Sequence, residues 1–461
     1  MPHSLAGLLL ATITFWGSLS AEIDPQIRYD ADRLIAAALE DSSAFQRLAR
    51  LVDTFGPRLS GTQNLEDALD WLLVQMRADS LENVRAEPVM IPRWERGRES
   101  AVLLKPRRHI LTMIGLGNSV GTSRWGLKAE ALVVRDWDEL QARAAEVTGK
   151  IVVYNAPFTV YSETGPYRWY GASEAARLGA VACLVRSITP LAMAEPHTGA
   201  LFYQDDAPRI PAAAITIEDA ELLQRLQDYG ETLTIRLKMG ARMLDDVPSR
   251  NLVAELTGSE FPDEIVVMGG HSDSWDVGQG AMDDAGGCVA AWEALRLMKV
   301  LGLRPKRTVR VVMWVNEENG LRGGRAYRDT HMAELENHIL AIETDDGVFR
   351  PEGFGFTGPP EALAQLQEIA TLLAPIGADS VSAGGGGADI SPIIKIGVPG
   401  MGLKVDESRY FWYHHTNADT IDKLDPHELN LCVAALAVMA YSVANLPERL
   451  PRGEAPATGA D

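Results

Sequence analysis

The sequence predicts an α/β fold: a mostly parallel central sheet covered by helices on both faces, interrupted by a smaller inserted module. Two patterns carry that expectation. After Asn251, continuous apolar runs alternate regularly with stretches of helical periodicity, the signature of strands buried on both faces. Between residues 127 and 239 a second alternating series appears, separated by long turn-rich stretches. The chain of 461 residues is 46% hydrophobic and 23% charged, ample for a packed core. At roughly 150 residues per domain, that length fits two or three domains.

Taken in order, Leu5 to Ala21 is apolar and uncharged, and the acidic sequence starts at Glu22. Such a run fits the core of a signal peptide and falls short of the roughly 20 residues that span a bilayer. Ser18, Ser20 and Ala21 offer cleavage points, although Met1–Ser4 lacks the usual Lys or Arg. Residues 1–21 are therefore expected to be a leader and the product to be exported, secreted or periplasmic. No later stretch reads as a membrane span. Residues 22–126 form a first part of the main body. Ala31–Phe55 carries apolar residues at helical spacing, and Ser60-Gly61-Thr62 caps a second helix, Asn64–Ala78. Val84–Ile91 reads as a strand stopped by Pro92.

Residues 127–240 are expected to be the inserted module. Its strands are Ala129–Val134, Gly149–Tyr154, Ala180–Val185, Ala212–Ile215 and Thr232–Leu237, with helices at Gly171–Leu178 and Ile217–Asp228. None of these carries a cluster of His, Asp and Glu. The second part of the main body, 241–450, runs strand Ile265–Met268, helix Gly287–Val300, strand Thr308–Val315, helix Leu321–Asp329 and strand His338–Glu343. A helix near Glu361–Ala374, the strand Gly400–Leu403 and the helix Pro426–Ala444 follow. Residues 451–461 are expected to be a disordered tail.

Charge and cysteine usage narrow the classes. With 43 basic against 63 acidic residues, the net charge of −20 argues against nucleic acid as a partner. Cys183, Cys288 and Cys432 are widely spaced and form no CxxC pair, so buried free thiols are expected.

Chemistry gathers at four places, each just after an apolar run: His271-Ser272-Asp273, Glu317-Glu318, Asp345-Asp346 and His414-His415. In sheets covered on both faces, sites form at the carboxyl ends of strands. Gly280-Ala281-Met282-Asp283-Asp284 adds a turn opening the helix near Gly287. Each alone has an ordinary explanation, such as a helix cap or a solvated strand end. Together, five or six carboxylates at one sheet edge repel unless cations neutralise them. Imidazole and carboxylate without thiolate suits zinc in a hydrolytic site, and the set suffices for two metals about 3.5–4 Å apart. Asp273, two residues on, faces the same way as His271 and can support its ring. Of Glu317 and Glu318, one can ligate while the other serves as general base.

The pattern His271-x-Asp273, Gly280-Ala281-x-Asp283-Asp284, Glu317-Glu318, Asp345 and His415-Thr416 resembles the co-catalytic dizinc metallopeptidases, which include bacterial secreted aminopeptidases and glutamate carboxypeptidases. The likeness is carried by GGHSDSWDVGQGAMDDAGG, WEAL, LGLRPKRT, NEE, ETDDG and GVPG, and covers nearly the whole chain after the leader. It implies a three-layer zinc-peptidase core with an inserted protease-associated domain. It implies two Zn²⁺ bridged by Asp283 and a water or hydroxide, with His271 and Asp345 on one metal and Glu318 and His415 on the other. Glu317 would be the general base, Asp273 the residue orienting His271, and the Asp283–Asp284 peptide bond cis. Asp389, Tyr413 and His414 are candidates for contacting substrate. The activity implied is exopeptidase action on short peptides, of dipeptidase or carboxypeptidase type, by a homodimer. An aminopeptidase of the same family is the alternative; a non-catalytic receptor-like ectodomain and a single-zinc glutaminyl cyclase are further ones. Retention of every ligand and of Glu317 counts against the last two.

Overall fold

The computed structural model describes residues 23–453. The expected leader, 1–21, lies outside the described residues, as does the tail beyond residue 453. The main body is organised by an eight-stranded mixed sheet. Its strands run in the order Glu82–Glu95, Arg242–Leu256, Arg307–Trp314, Phe261–His271, His338–Glu343, Gly400–Val405, Pro351–Thr357, Ser380–Ala383. The four central strands are mutually parallel, and the flanking pairs Glu82–Glu95 with Arg242–Leu256 and Pro351–Thr357 with Gly400–Val405 are antiparallel. Arg307–Trp314 is buried at every position, as a strand covered on both faces requires.

Helices build the outer layers. Pro25–Glu40, Ser43–Phe55, Gly286–Val300 and Pro426–Ala444 pack on one face, burying Leu34, Leu48, Trp292 and Leu436. The single helix read over Ala31–Phe55 is two, because Asp41 accepts from the Ser43 backbone and restarts the chain. Pro426–Ala444 is capped by Asp425, which accepts from the His427 N–H, and carries proline in its first turn. Among the described residues it is the one helix long and apolar enough to cross a membrane, yet it lies within the core between Pro25–Glu40 and Gly286–Val300. On the opposite face, Tyr327 and Ile393 from the helices Arg322–Thr330 and Ser391–Ile394 close over Val267, Val312 and Ala341. Pro92 does not stop its strand, which continues to Glu95. The strand lies at the sheet edge and its register shifts between Ile91 and Arg93, so no ladder bond is lost to the missing N–H.

A second eight-stranded sheet has its own core, including Val133, Val153, Leu184, Ala213, Ile235 and Leu237. Its chain segment opens before Leu127: the strands Glu99–Lys105, His109–Leu111 and Met113–Gly115 already belong to it, and it ends with Thr234–Met239. These early strands are short and end at turns, so their pattern is hard to separate from loop. The helix expected over Gly171–Leu178 begins ten residues earlier, at Tyr161, with Pro166 inside it. Its first turn is held by Tyr161, which packs edge-on against Trp169 and stacks on Phe411 of the main body. Cys183, Cys288 and Cys432 are free and buried.

Candidate metal centre

Because the central strands are parallel, their carboxyl ends deliver side chains to one edge. Phe261–His271 ends on His271, Arg307–Trp314 leads to Glu317 and Glu318, and His338–Glu343 leads to Asp345. Close approach is essential here: a Cβ on Gly270 would stand 2.1 Å from the Asp284 carboxylate. That carboxylate accepts from the His271 N–H at 3.0 Å and from the Gly287 N–H at 2.9 Å, tying the strand end to the start of the next helix. The Asp283–Asp284 peptide bond is cis.

Asp283 is the hub. One of its oxygens is 3.1 Å from His271 Nε2 and the other 3.2 Å from His415 Nε2. Asp345 stands 3.1 Å from His271 Nε2, and Glu318 stands 3.1 Å from His415 Nε2. Two clusters able to hold a metal share Asp283: His271, Asp283 and Asp345, and Asp283, His414 and His415. His414 is stacked on His415 at 3.5 Å and its Nε2 lies 3.8 Å from Asp283, so it adjoins the second cluster alongside Glu318.

The surroundings set the charges. Burial pushes Glu317 and Glu318 well above the usual carboxylate range, with neighbouring carboxylates adding to it. Burial also raises Asp283, but His271 and His415 outweigh it and hold its carboxyl well below the usual range. Burial acts to lower His271, but Asp345 and Asp283 carry it well above its ordinary value. Burial pushes His414 and His415 below the ordinary histidine value. Burial and the charge of Asp345 push Asp346 up to about 7.

This donor set fits zinc. In a tetrahedral site with bonds of 2.0–2.1 Å, neighbouring ligand atoms stand roughly 3.3 Å apart. The four imidazole–carboxylate separations are 3.1–3.2 Å. Glu318 Oε1 is buried without a hydrogen-bond partner among the described residues, a cost that a cation removes.

Asp273 is placed differently from its sequence reading. The ring of His271 is steadied by the Asp273 backbone carbonyl, 3.0 Å from Nδ1, while the Asp273 carboxylate is 3.8 Å away. That carboxylate instead accepts from Ser60 Oγ at 2.9 Å and from the Glu317 N–H at 3.1 Å. Asp273 therefore places Glu317, through a tight turn in which Asn316 is left-handed with φ 66°. That turn sends Glu317 and Glu318 into the same cavity.

The cavity has a volume of about 410 Å³ and is lined by Asp283, Glu317, Glu318, Asp345, His414 and His415 from the centre itself. Tyr161, Arg168, Trp169 and Phe202 from the second-sheet segment form another wall. Asp389 does not line it; its carboxylate is buried without a partner among the described residues, and the adjacent Ala388 takes the place at the wall. Tyr413 does not line it either and lies under Lys423. Asp419 escaped the sequence reading. It accepts from the N–H groups of Ala281, Met282 and Asp283 at 3.1, 2.8 and 3.3 Å, holding the turn that presents Asp283. Only its position four residues after His415 hinted at a role.

Comparison with known proteins places the chain in a family. Carboxypeptidase Q of Homo sapiens is 50% identical over 409 residues, which is 89% of this chain and 87% of that protein. The family model "Peptidase family M28" matches residues 251–440. The chain belongs to peptidase family M28. Within the family, the crystal structure of a peptidase M28 precursor from Shewanella amazonensis SB2B is 34% identical, with a TM-score of 0.89 over 92% of this chain and 98% of that one. A zinc aminopeptidase from Bacillus subtilis shares the fold, with a TM-score of 0.65 and 21% identity over 86% of this chain and 94% of that one. Family membership makes the protein a hydrolase, a metallo-exopeptidase acting on peptides.

Proposed function

We propose that the protein is a dizinc exopeptidase of dipeptidase or carboxypeptidase type. The observation that carries this is Asp283, set between His271 and His415 with one oxygen toward each. His271 and Asp345 would hold one ion, Glu318 and His415 the other, and Asp283 both. When bound, the ions supply Lewis acidity and a nucleophilic hydroxide near neutral pH. Glu317 faces the same cavity; it takes a proton from the attacking water and returns it to the leaving amine. Asp273 holds the Glu317 backbone in place for both transfers.

Selection of termini rests on two unpaired charges in the cavity wall. Arg325 donates only to the Gly320 carbonyl, at 3.3 Å, and among the described residues it has no acidic partner within 4.0 Å. It is placed to receive a free substrate carboxylate, which supports the carboxypeptidase reading. Asp346 is likewise without an ion-pair partner among the described residues and favours a free ammonium, the observation that keeps an aminopeptidase as the second reading. The test is zinc analysis together with kinetics on N-blocked and C-blocked dipeptides. Two zincs per chain with loss of activity on C-blocking is expected; one zinc per chain, or none, refutes the dizinc reading, and loss on N-blocking alone favours the aminopeptidase.

The second-sheet segment is proposed as a protease-associated module, on its likeness in sequence and its place inside the peptidase body. Export is proposed on the apolar run Leu5–Ala21, and its test is N-terminal sequencing of protein recovered outside the cytoplasm. A homodimer is proposed by family resemblance, and sedimentation measures it.

A further inference from the structure

His415 sits in the main body, yet the groups that hold its ring come from the second-sheet segment. Its Nδ1 lies 3.3 Å from the Thr198 carbonyl, and the Thr198 N–H donates back to the His415 carbonyl at 3.0 Å. The same Thr198 carbonyl accepts from Arg168 Nη1 at 3.1 Å, and that nitrogen is 3.4 Å from His415 Nδ1. A carbonyl oxygen has two lone pairs, so both donors can converge on it. Arg168 is 3% exposed and lies on the helix Tyr161–Arg177, where its other terminal nitrogen meets the Tyr161 hydroxyl. Thr198 is fixed in turn: its hydroxyl donates to the Gly115 carbonyl at 2.8 Å, within the second sheet.

We infer that Arg168 and the Thr198 backbone are positioning residues for His415, so the second-sheet segment completes the metal centre. With Nδ1–H committed to the Thr198 carbonyl, Nε2, which faces Asp283 and Glu318, is the ring nitrogen left to bind a metal ion. The guanidinium, bonded to the same oxygen, stops the carbonyl from turning away. Gly199 makes room for this: its φ is 133°, and a Cβ there would come 2.4 Å from Arg168 Cζ. The inference rests on the reading of His415 as a zinc ligand.

The experiment measures both zinc equivalents by chelator competition on the full chain and records histidine-ring ¹⁵N spectra of the zinc-free protein, with His415 assigned through His415→Gln. In Arg168→Met, one equivalent is expected to weaken 10–100-fold, the range for loss of a group that orients a metal-binding histidine, while the other stays within twofold. The Nδ1–H tautomer of His415 should lose population in the same variant. Arg168→Lys, which keeps a donor, should restore both within about threefold. Gly199→Ala, which crowds the same contact without removing charge, should repeat the loss. Equal weakening of both equivalents, or unchanged affinity and tautomer in Arg168→Met and Gly199→Ala, overturns the inference. Should the unaltered protein bind fewer than two zincs, the dizinc reading fails on its own, and the tautomer measurement alone then decides the role of Arg168.

Discussion

Asp419→Asn isolates how much of the centre depends on the turn 281–283. The carboxylate receives three backbone N–H groups: Oδ1 takes those of Ala281 and Met282, and Oδ2 takes that of Asp283 at 3.3 Å. An asparagine oriented to keep Oδ1 places an NH₂ group against the Asp283 N–H, donor against donor. The variant therefore loses one charge-assisted hydrogen bond, worth about 1.5–3 kcal/mol, at the residue meant to be shared by both ions. If that loss falls on the zinc-binding geometry, affinity drops about 10–100-fold, since about 1.4 kcal/mol is one factor of ten. Outer partners of metal ligands give losses of roughly the same size. The assay is zinc competition against a chelator of known affinity, with the thermal midpoint of the zinc-free protein as the control for folding. Both equivalents should weaken, because Asp283 serves both. Zinc affinity within twofold of the parent at an unchanged midpoint would show that the turn holds its shape without Asp419.

Further expectations follow from other contacts. Glu317→Gln should keep both zincs and lose hydrolysis by about 10²–10⁴-fold, the usual contribution of a general base; retained turnover at full zinc occupancy refutes that role. Arg325→Ala should raise KM for a free dipeptide by about tenfold, equivalent to one hydrogen bond to a charged group, and leave a C-terminally amidated one unchanged. Equal effects on both substrates would remove Arg325 from carboxylate recognition. His338 is buried with Nδ1 near the Glu334 carbonyl and Nε2 near the Tyr327 hydroxyl, and burial lowers it to about 3. The unfolded chain, with an ordinary histidine near 6.5, then binds the extra proton, so this stability is present at neutral pH and is lost as pH falls from about 6.5 toward 3. Between pH 6.5 and 5 the zinc-free protein should lose about 1.6 kcal/mol more than His338→Gln in urea titrations, and parallel pH slopes would contradict this.

Much of the centre was legible because chain direction and spacing already carry it. Strands that end on His271 or just before Glu317 and Asp345 must bring those residues to one edge once the strands are parallel. What the pattern did not reveal depends on contacts between distant segments. Asp419 acts through backbone N–H groups more than 130 residues away in the chain, which no periodicity encodes. Spacing of i, i+2 puts Asp273 on the His271 side only in an extended strand; the strand ends at His271 and the backbone turns, so the carbonyl meets the ring and the carboxylate is released to Glu317. The helix start at Tyr161 was hidden by Gly165-Pro166, which reads as a turn until aromatic packing from Phe411 outweighs it. The strand through Pro92 was hidden for the opposite reason: proline is forbidden in a central strand but tolerated where an edge strand bulges.

The paired strands Glu82–Glu95 and Arg242–Leu256 have one more consequence. Their register runs from Glu82 opposite Glu255 to Glu95 opposite Arg242, so the chain leaves the main body and returns to it at the same point. They form a stem that holds both ends of the excursion together before it makes any other contact with the main body. With its ends already closed, docking of the excursion onto His415 costs little further loop entropy. If zinc affinity depends on that docking, the two equilibria are linked, and every tenfold in affinity gained when the excursion is seated returns about 1.4 kcal/mol to keeping it seated. Metal loading would then act as a latch on the assembled enzyme, and chelation would release the latch without unfolding either sheet.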